Sequence, residues 1–205
     1  MGKQLSILIC SLGILLGIAN TTKATHIYGG DISYVYLRDS LGGAFHIYAV
    51  TMTMYQDCNS ANWGGAFPEQ SVPIHIYEGA LNATSLPLNT RRAIAQLGLI
   101  ENVTIQSNLP GGCALTGGSC IAKTVYAGIT ALPTSFTGYH FIYDRCCRTD
   151  GVTNVNVPVN SRTDGTLLHS WTASTSTKNT SPKFRDFDFP FICVGRENGV
   201  LNIAR

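Results

Sequence analysis

The chain has 205 residues, of which 13% are charged, and its formal net charge is +2. A balance this even, with no basic patch, excludes a nucleic-acid partner held through phosphate contacts. Abundant Gly, Thr, Ser and Asn suit many turns between short strands.

Met1–Lys3 is a short basic start, Leu5–Ala19 is almost wholly apolar, and Asn20–Ala24 is polar and small. That is the layout of a secretory signal peptide, with Thr22 and Ala24 as the small −3 and −1 residues of a cleavage site after Ala24. Residues 1–24 are expected to be removed, leaving 25–205 as one domain. The apolar run is shorter than the roughly 20 residues a spanning helix needs, so the mature chain is expected to carry no transmembrane segment.

Gly29 and Gly30 mark a bend before a first strand, Asp31–Leu37, and residues 38–43 read as a turn. Ala44–Tyr55 is the clearest long strand. Tyr48, Val50, Met52 and Met54 share one face and Thr51 and Thr53 the other, the period-2 pattern of a sheet with one buried side. Both methionines read as core rather than ligands. Residues 59–68 form a loop containing Trp63 and Phe67. Val72–Tyr77 is a strand with Val72, Ile74 and Ile76 on one face, and residues 78–88 read as loop. Ala93–Leu99 is compatible with a helical turn, whereas Ile100–Ile105 reads as strand.

Ile121–Ile129 is the next strand, closed by Pro133. Gly138–Arg148 is rich in aromatic and β-branched residues and ends in two adjacent cysteines. Val152–Val157 and Thr166–Thr172 read as strands, residues 174–182 as a polar loop, and Asp186–Cys193 as an edge strand broken by Pro190. About eight short strands with no convincing helix predict an all-β, single-domain antiparallel β-sandwich of Ig-like, Greek-key type, stapled by disulfides.

Six cysteines remain once the signal is removed: Cys58, Cys113, Cys120, Cys146, Cys147 and Cys193. An exported chain meets oxidising conditions, so three disulfides are expected rather than a zinc site, whose Cys-x-x-Cys spacing does not recur. Cys113 and Cys120 flank a short Gly-rich loop and are expected to pair. Side chains alternate along a strand, so Cys146 and Cys147 point opposite ways. They would then anchor Cys58 and Cys193 in either order.

The spacing points to no catalytic residue, cofactor or metal. There is no Gly-x-Ser-x-Gly turn, no metal-binding His-x-x-x-His helix and no Gly-rich phosphate loop. His75 lies out of phase with Ile74 and Ile76 and is expected to face solvent. His46 is in phase with Tyr48 and Val50, as a satisfied histidine at the core's edge. No acidic pair stands out, and Arg145 and Arg148 are expected to pair with Asp57 or Asp144. Trp63 and Phe67 are the candidate binding residues. Tyr139 and Tyr143 are weaker candidates for which core packing is the better reading.

Four segments occur in an order that carries a resemblance: Thr25-His-Ile-Tyr-Gly-Gly-Asp-Ile32, Tyr55-Gln-Asp-Cys-Asn59, Gly138-Tyr-His-Phe-Ile-Tyr-Asp-Arg-Cys-Cys-Arg148, and Ser181-Pro-Lys-Phe184 followed by Phe189-Pro-Phe-Ile-Cys193. Together they resemble the N-terminal domain of large secreted Bacteroidetes surface proteins, the gliding-motility-associated or PKD-domain-containing adhesin-like group. The resemblance implies an exported, non-enzymatic adhesion or surface-assembly protein, moved by a type IX system, with a cell-surface protein or polysaccharide as partner. Such proteins continue through repeated β-domains to a sorting domain. This chain ends twelve residues after Cys193, as a stand-alone version or a truncated product. The rival functions are a carbohydrate-binding or, less readily, carbohydrate-cleaving protein, and a structural subunit pairing through the 186–193 edge.

Overall fold

A computed structural model describes residues 27–58, 68–80, 91–105, 120–145 and 165–184. Alternating apolar residues build seven strands: β1 (Ile27–Ser40), β2 (Phe45–Asp57), β3 (Ser71–Glu78), β4 (Arg91–Ile105), β5 (Ile121–Pro133), β6 (Tyr139–Arg145) and β7 (Thr166–Thr172). Among the described residues, the helical elements are two single 3₁₀ turns, Leu41–Gly43 and Thr175–Thr177.

All seven strands hydrogen-bond into one sheet of order β1-β2-β5-β4-β3-β6-β7, antiparallel at every pairing. The all-β expectation holds, but two separate sheets are replaced by one nearly closed, barrel-like sheet. The difference lies in strand length. β1, β2, β4 and β5 run 13 to 15 residues, longer than the segments read from sequence. Register shifts at Tyr36/Arg38 and Leu99/Glu101 add twist, which lets such strands roll a single sheet around a core. The helical option for 93–99 gives way to strand, because β3 and β5 flank this stretch and turn Ala95 and Leu97 inward.

The two edges are drawn together by residues 179–181. The Ser181 amide donates to the Tyr34 carbonyl at 3.0 Å, and the Tyr34 amide donates to Ser181 Oγ at 2.8 Å. The Tyr34 hydroxyl lies 3.2 Å from both the Trp171 carbonyl and Asn179 Oδ1. Gly30 is required on this side, since a Cβ there would strike the Thr53 carbonyl and Leu168 of β7. Gly138, at φ +88°, turns the chain into β6 where a side chain would meet the Thr172 carbonyl.

The inward faces fill the interior with one apolar cluster, including Tyr34, Tyr48, Met52, Ile74, Leu97, Tyr126 and Phe141. Tyr34 stacks on Phe141 with centroids 5.3 Å apart and meets Tyr48 edge-on at 5.8 Å. Burial pushes the phenols of Tyr48, Tyr126 and Tyr139 up to about 12. Met52 and Met54 lie in this core, as their spacing predicts.

Candidate functional site

Three features outside the core carry chemistry. The first is covalent. β2 and β5 pair in unbroken register from Phe45↔Pro133 to Asp57↔Ile121, so the residues just beyond that ladder, Cys58 and Cys120, meet. Their Cα atoms are 5.0 Å apart, in disulfide-bonding position, and the Cys58 amide donates to the Cys120 carbonyl at 3.0 Å. The placement differs from the expected pairings, which join Cys120 to Cys113 and leave Cys58 for Cys146 or Cys147: here Cys58 and Cys120 stand side by side. Sheet adjacency, not loop length, decides the partner.

The second lies at the opposite end of the same ladder. The β1–β2 turn sets Asp39 opposite His46 in register. His46 Nδ1 lies 2.7 Å from Asp39 Oδ1, which also accepts from the Tyr36 hydroxyl at 2.8 Å. Lys178 Nζ donates to Asp39 Oδ2 at 2.8 Å. Lys178, then the Tyr36 hydroxyl, then His46 hold the Asp39 carboxyl down at about 2. His46 Nε2 is 3.2 Å from Thr134 Oγ1.

Carboxylate, imidazole and hydroxyl follow one another here in the order of a hydrolytic relay. The neighbouring groups are committed elsewhere. Thr134 Oγ1 has the Gly43 carbonyl at 2.9 Å, the Thr134 amide donates to the Ala44 carbonyl, and the Ser135 amide donates to Thr175 Oγ1. Those amides are therefore not free to hold an oxyanion, and the cluster ties the turns together. His46, 4% exposed, is the satisfied histidine expected at the core's edge.

The third feature is the outer face of β3, β6 and β7. β6 buries both faces: Tyr139, Phe141 and Tyr143 inward, His140 and Ile142 outward. Tyr139 and Tyr143 are thus core residues. His140 Nδ1 sits 2.9 Å from His169 Nε2, and His140 Nε2 lies 3.3 Å from the Ala80 carbonyl. Trp171 Nε1 donates to the Gly79 carbonyl at 3.2 Å. His75 shares this face but is half-buried rather than open to solvent.

A second stretch of outer surface, on β1, β2 and β5, is largely apolar. Val35, Ala49 and Ile129 lie in register across β1, β2 and β5, with Ile129 69% exposed. Ile47 and Ala131 form the next row, flanked by Leu37 and Arg38, and exposed Leu41 and Phe136 lie at the same end.

Of the residues singled out in the sequence, Trp63, Phe67, Cys113, Cys146, Cys147, Cys193 and Arg148 lie outside the described residues, as do the 152–157 and 186–193 strands. Arg145 bonds Glu69 and lies 3.5 Å from the Tyr143 hydroxyl, a carboxylate partner beyond the expected Asp57 or Asp144. The sequence reading missed the Asp39 cluster and the His140–His169 pair. The first had a signal, since Asp39 and His46 flank a Gly-containing turn; the second needed the β6–β7 pairing. Among the described residues no three His, Cys, Asp or Glu side chains gather as metal ligands, and no helix is long and apolar enough to cross a membrane. Comparison of the chain with protein-family models, curated proteins and solved structures finds no match.

Proposed function

We propose that the chain is an exported, non-enzymatic β-domain that acts at the cell surface in adhesion or surface assembly, as its resemblance to the Bacteroidetes surface proteins implies. The observation that supports this reading is the exposed apolar row Val35–Ala49–Ile129 with Ile47, Ala131 and Leu37 around it. Large side chains fill the interior, so binding falls to the outer surface. A contiguous apolar patch on such a surface marks an interaction site more often than chance exposure of single residues. Of the two adjacent rows, Ser33–Thr51–Ala127 is uncharged and Arg38–Ile47–Ala131 carries one cation, a balance that suits an apolar protein surface with a polar rim.

The test is capture from intact cell envelopes with the oxidised, exported chain, compared with Ile129→Asp and Val35→Asp. Both side chains point outward, so the variants should fold. A protein partner recovered by the parent and reduced tenfold or more by either change supports the proposal. Equal recovery by parent and variants overturns it. Recovery of polysaccharide in place of protein favours the carbohydrate reading, with Trp63 the first residue to change.

A further inference from the structure

His140 is 1% exposed, yet both its ring nitrogens have partners. The His140 and His169 ring planes differ by only 13°, with centroids 5.1 Å apart. That separation is close to the 2.9 Å between the nitrogens plus one ring radius at each end. The rings therefore meet edge to edge in nearly one plane, with the shared hydrogen on the line between Nδ1 and Nε2. A carbonyl only accepts, so His140 Nε2 carries a hydrogen toward Ala80. In the neutral pair, His140 Nδ1 then accepts from His169 Nε2–H, and both tautomers are defined.

We propose that His140 and His169 form a proton-responsive clasp that holds Gly79 and Ala80 against the outer face of β6 and β7, closed with no added proton or one and opened by two. The first proton, taken from solvent through exposed His169, leaves the bond intact. It adds at His169 Nδ1, so His169 carries hydrogens on both nitrogens and still donates Nε2–H to His140 Nδ1, with the charge on the exposed ring. A second proton sets Nδ1–H against Nε2–H, with a positive charge on each ring, and the nitrogens must part. Movement of His140 withdraws the donor to Ala80. Trp171 feels it directly, because it pairs with His140 in register, its ring lies 6.5 Å from the imidazole, and its indole holds Gly79.

The surroundings offer little to offset two charges. Tyr77 of β3 pairs with His140, His75 shares a row with Ile142 and His169, and Glu78 belongs to the opposite pleat, bonded to Arg92. Asp144, two positions along the face from Ile142, is the nearest acidic group on β6. Burial, then the neighbouring His140, holds the His169 imidazole below its ordinary value. A bound metal fits less well than a proton. The nitrogens aim at each other instead of at a common third point, and no third ligand joins them among the described residues.

The experiment is an NMR titration of the ¹⁵N-labelled exported chain from pH 8 to 4. It follows the imidazole nitrogens and the Trp171 indole N–H, with Trp63→Phe separating the two indoles. The expected result is two proton-binding steps at least about tenfold apart in affinity, the mark of coupled sites, with the Trp171 signal moving only in the second. His169→Gln, at an exposed position, should leave one step at His140 and a still indole. Two histidines titrating together at an ordinary value, or an indole shift that persists in His169→Gln, would overturn the proposal.

Discussion

The β2–β5 ladder is tied at both ends, and the two ties are built from opposite chemistry. At one end Cys58 and Cys120 stand in disulfide-bonding position across adjacent strands. At the other, Asp39, His46, Thr134 and Lys178 join the β1–β2 turn, the turn after β5 and the segment after β7. The covalent tie acts mainly by restricting the unfolded chain, and it ignores pH but not reductant. The polar tie exists only in the folded state and ignores reductant but not acid. One ladder thus answers to two different variables at its two ends.

The largest effect should come from the covalent end. The bond spans 62 residues of sequence. Closing a loop of that size contributes about 4 kcal/mol on the chain-entropy account. Cys58→Ser, measured by denaturant unfolding, should therefore lower stability by about 2–5 kcal/mol. A midpoint unchanged from the parent would mean that Cys58 and Cys120 are not joined in the folded protein.

His46→Ala probes the other end. It removes a buried ring and strips a partner from Asp39 and from Thr134, at a cost of about 2–3 kcal/mol by the same assay. Lys178 and Tyr36 still hold Asp39, which keeps the loss below that of the covalent tie. A change under about 0.5 kcal/mol, the range of ordinary surface positions, would reduce the cluster to decoration.

These two ends also show how far sequence alone could reach. β7 was legible to the residue at Thr166–Thr172, and the inward face of β2 from Tyr48 to Met54, because period 2 is a local signal. The cysteine partner was not, because loop length favours Cys113 while β5 inserts between β2 and β4, and strand order is not a local property. The single rolled sheet escaped for a related reason: bulged long strands read as shorter ones. Asp39 escapes because the alternation of the first strand stops at Leu37, although the bulge at Tyr36/Arg38 carries β1 on to Ser40. Arg145 finds Glu69, from the stretch before β3, through contacts that no spacing announces.

Acid separates the two ties. The Asp39 carboxyl is lowered from 3.8 to about 2, so the folded state binds fewer protons than the unfolded chain in that range. The stability it contributes is complete above pH about 4 and is lost as pH falls through about 2. Acid unfolding of the oxidised chain and of Cys58→Ser should show this loss in the same window, at different absolute stability. A window that moves with the cysteine would mean the two ends are not independent.

The smallest change should come from Lys178→Met, and it isolates which partner sets that window. Lys178 is the leading cause of the lowered Asp39 value, ahead of Tyr36 and His46, and its ammonium also lies 5.7 Å from the centre of the Tyr36 ring. It is half exposed, so solvent screens the pair and stability at neutral pH should barely move. By linkage the acid window should shift upward by the same small amount, because the carboxyl moves back toward its ordinary value once the ammonium is gone. His46→Ala should shift it less. If the two variants shift the window in the reverse order, the buried imidazole rather than the exposed ammonium governs the carboxylate, and the polar tie is held from inside the barrel.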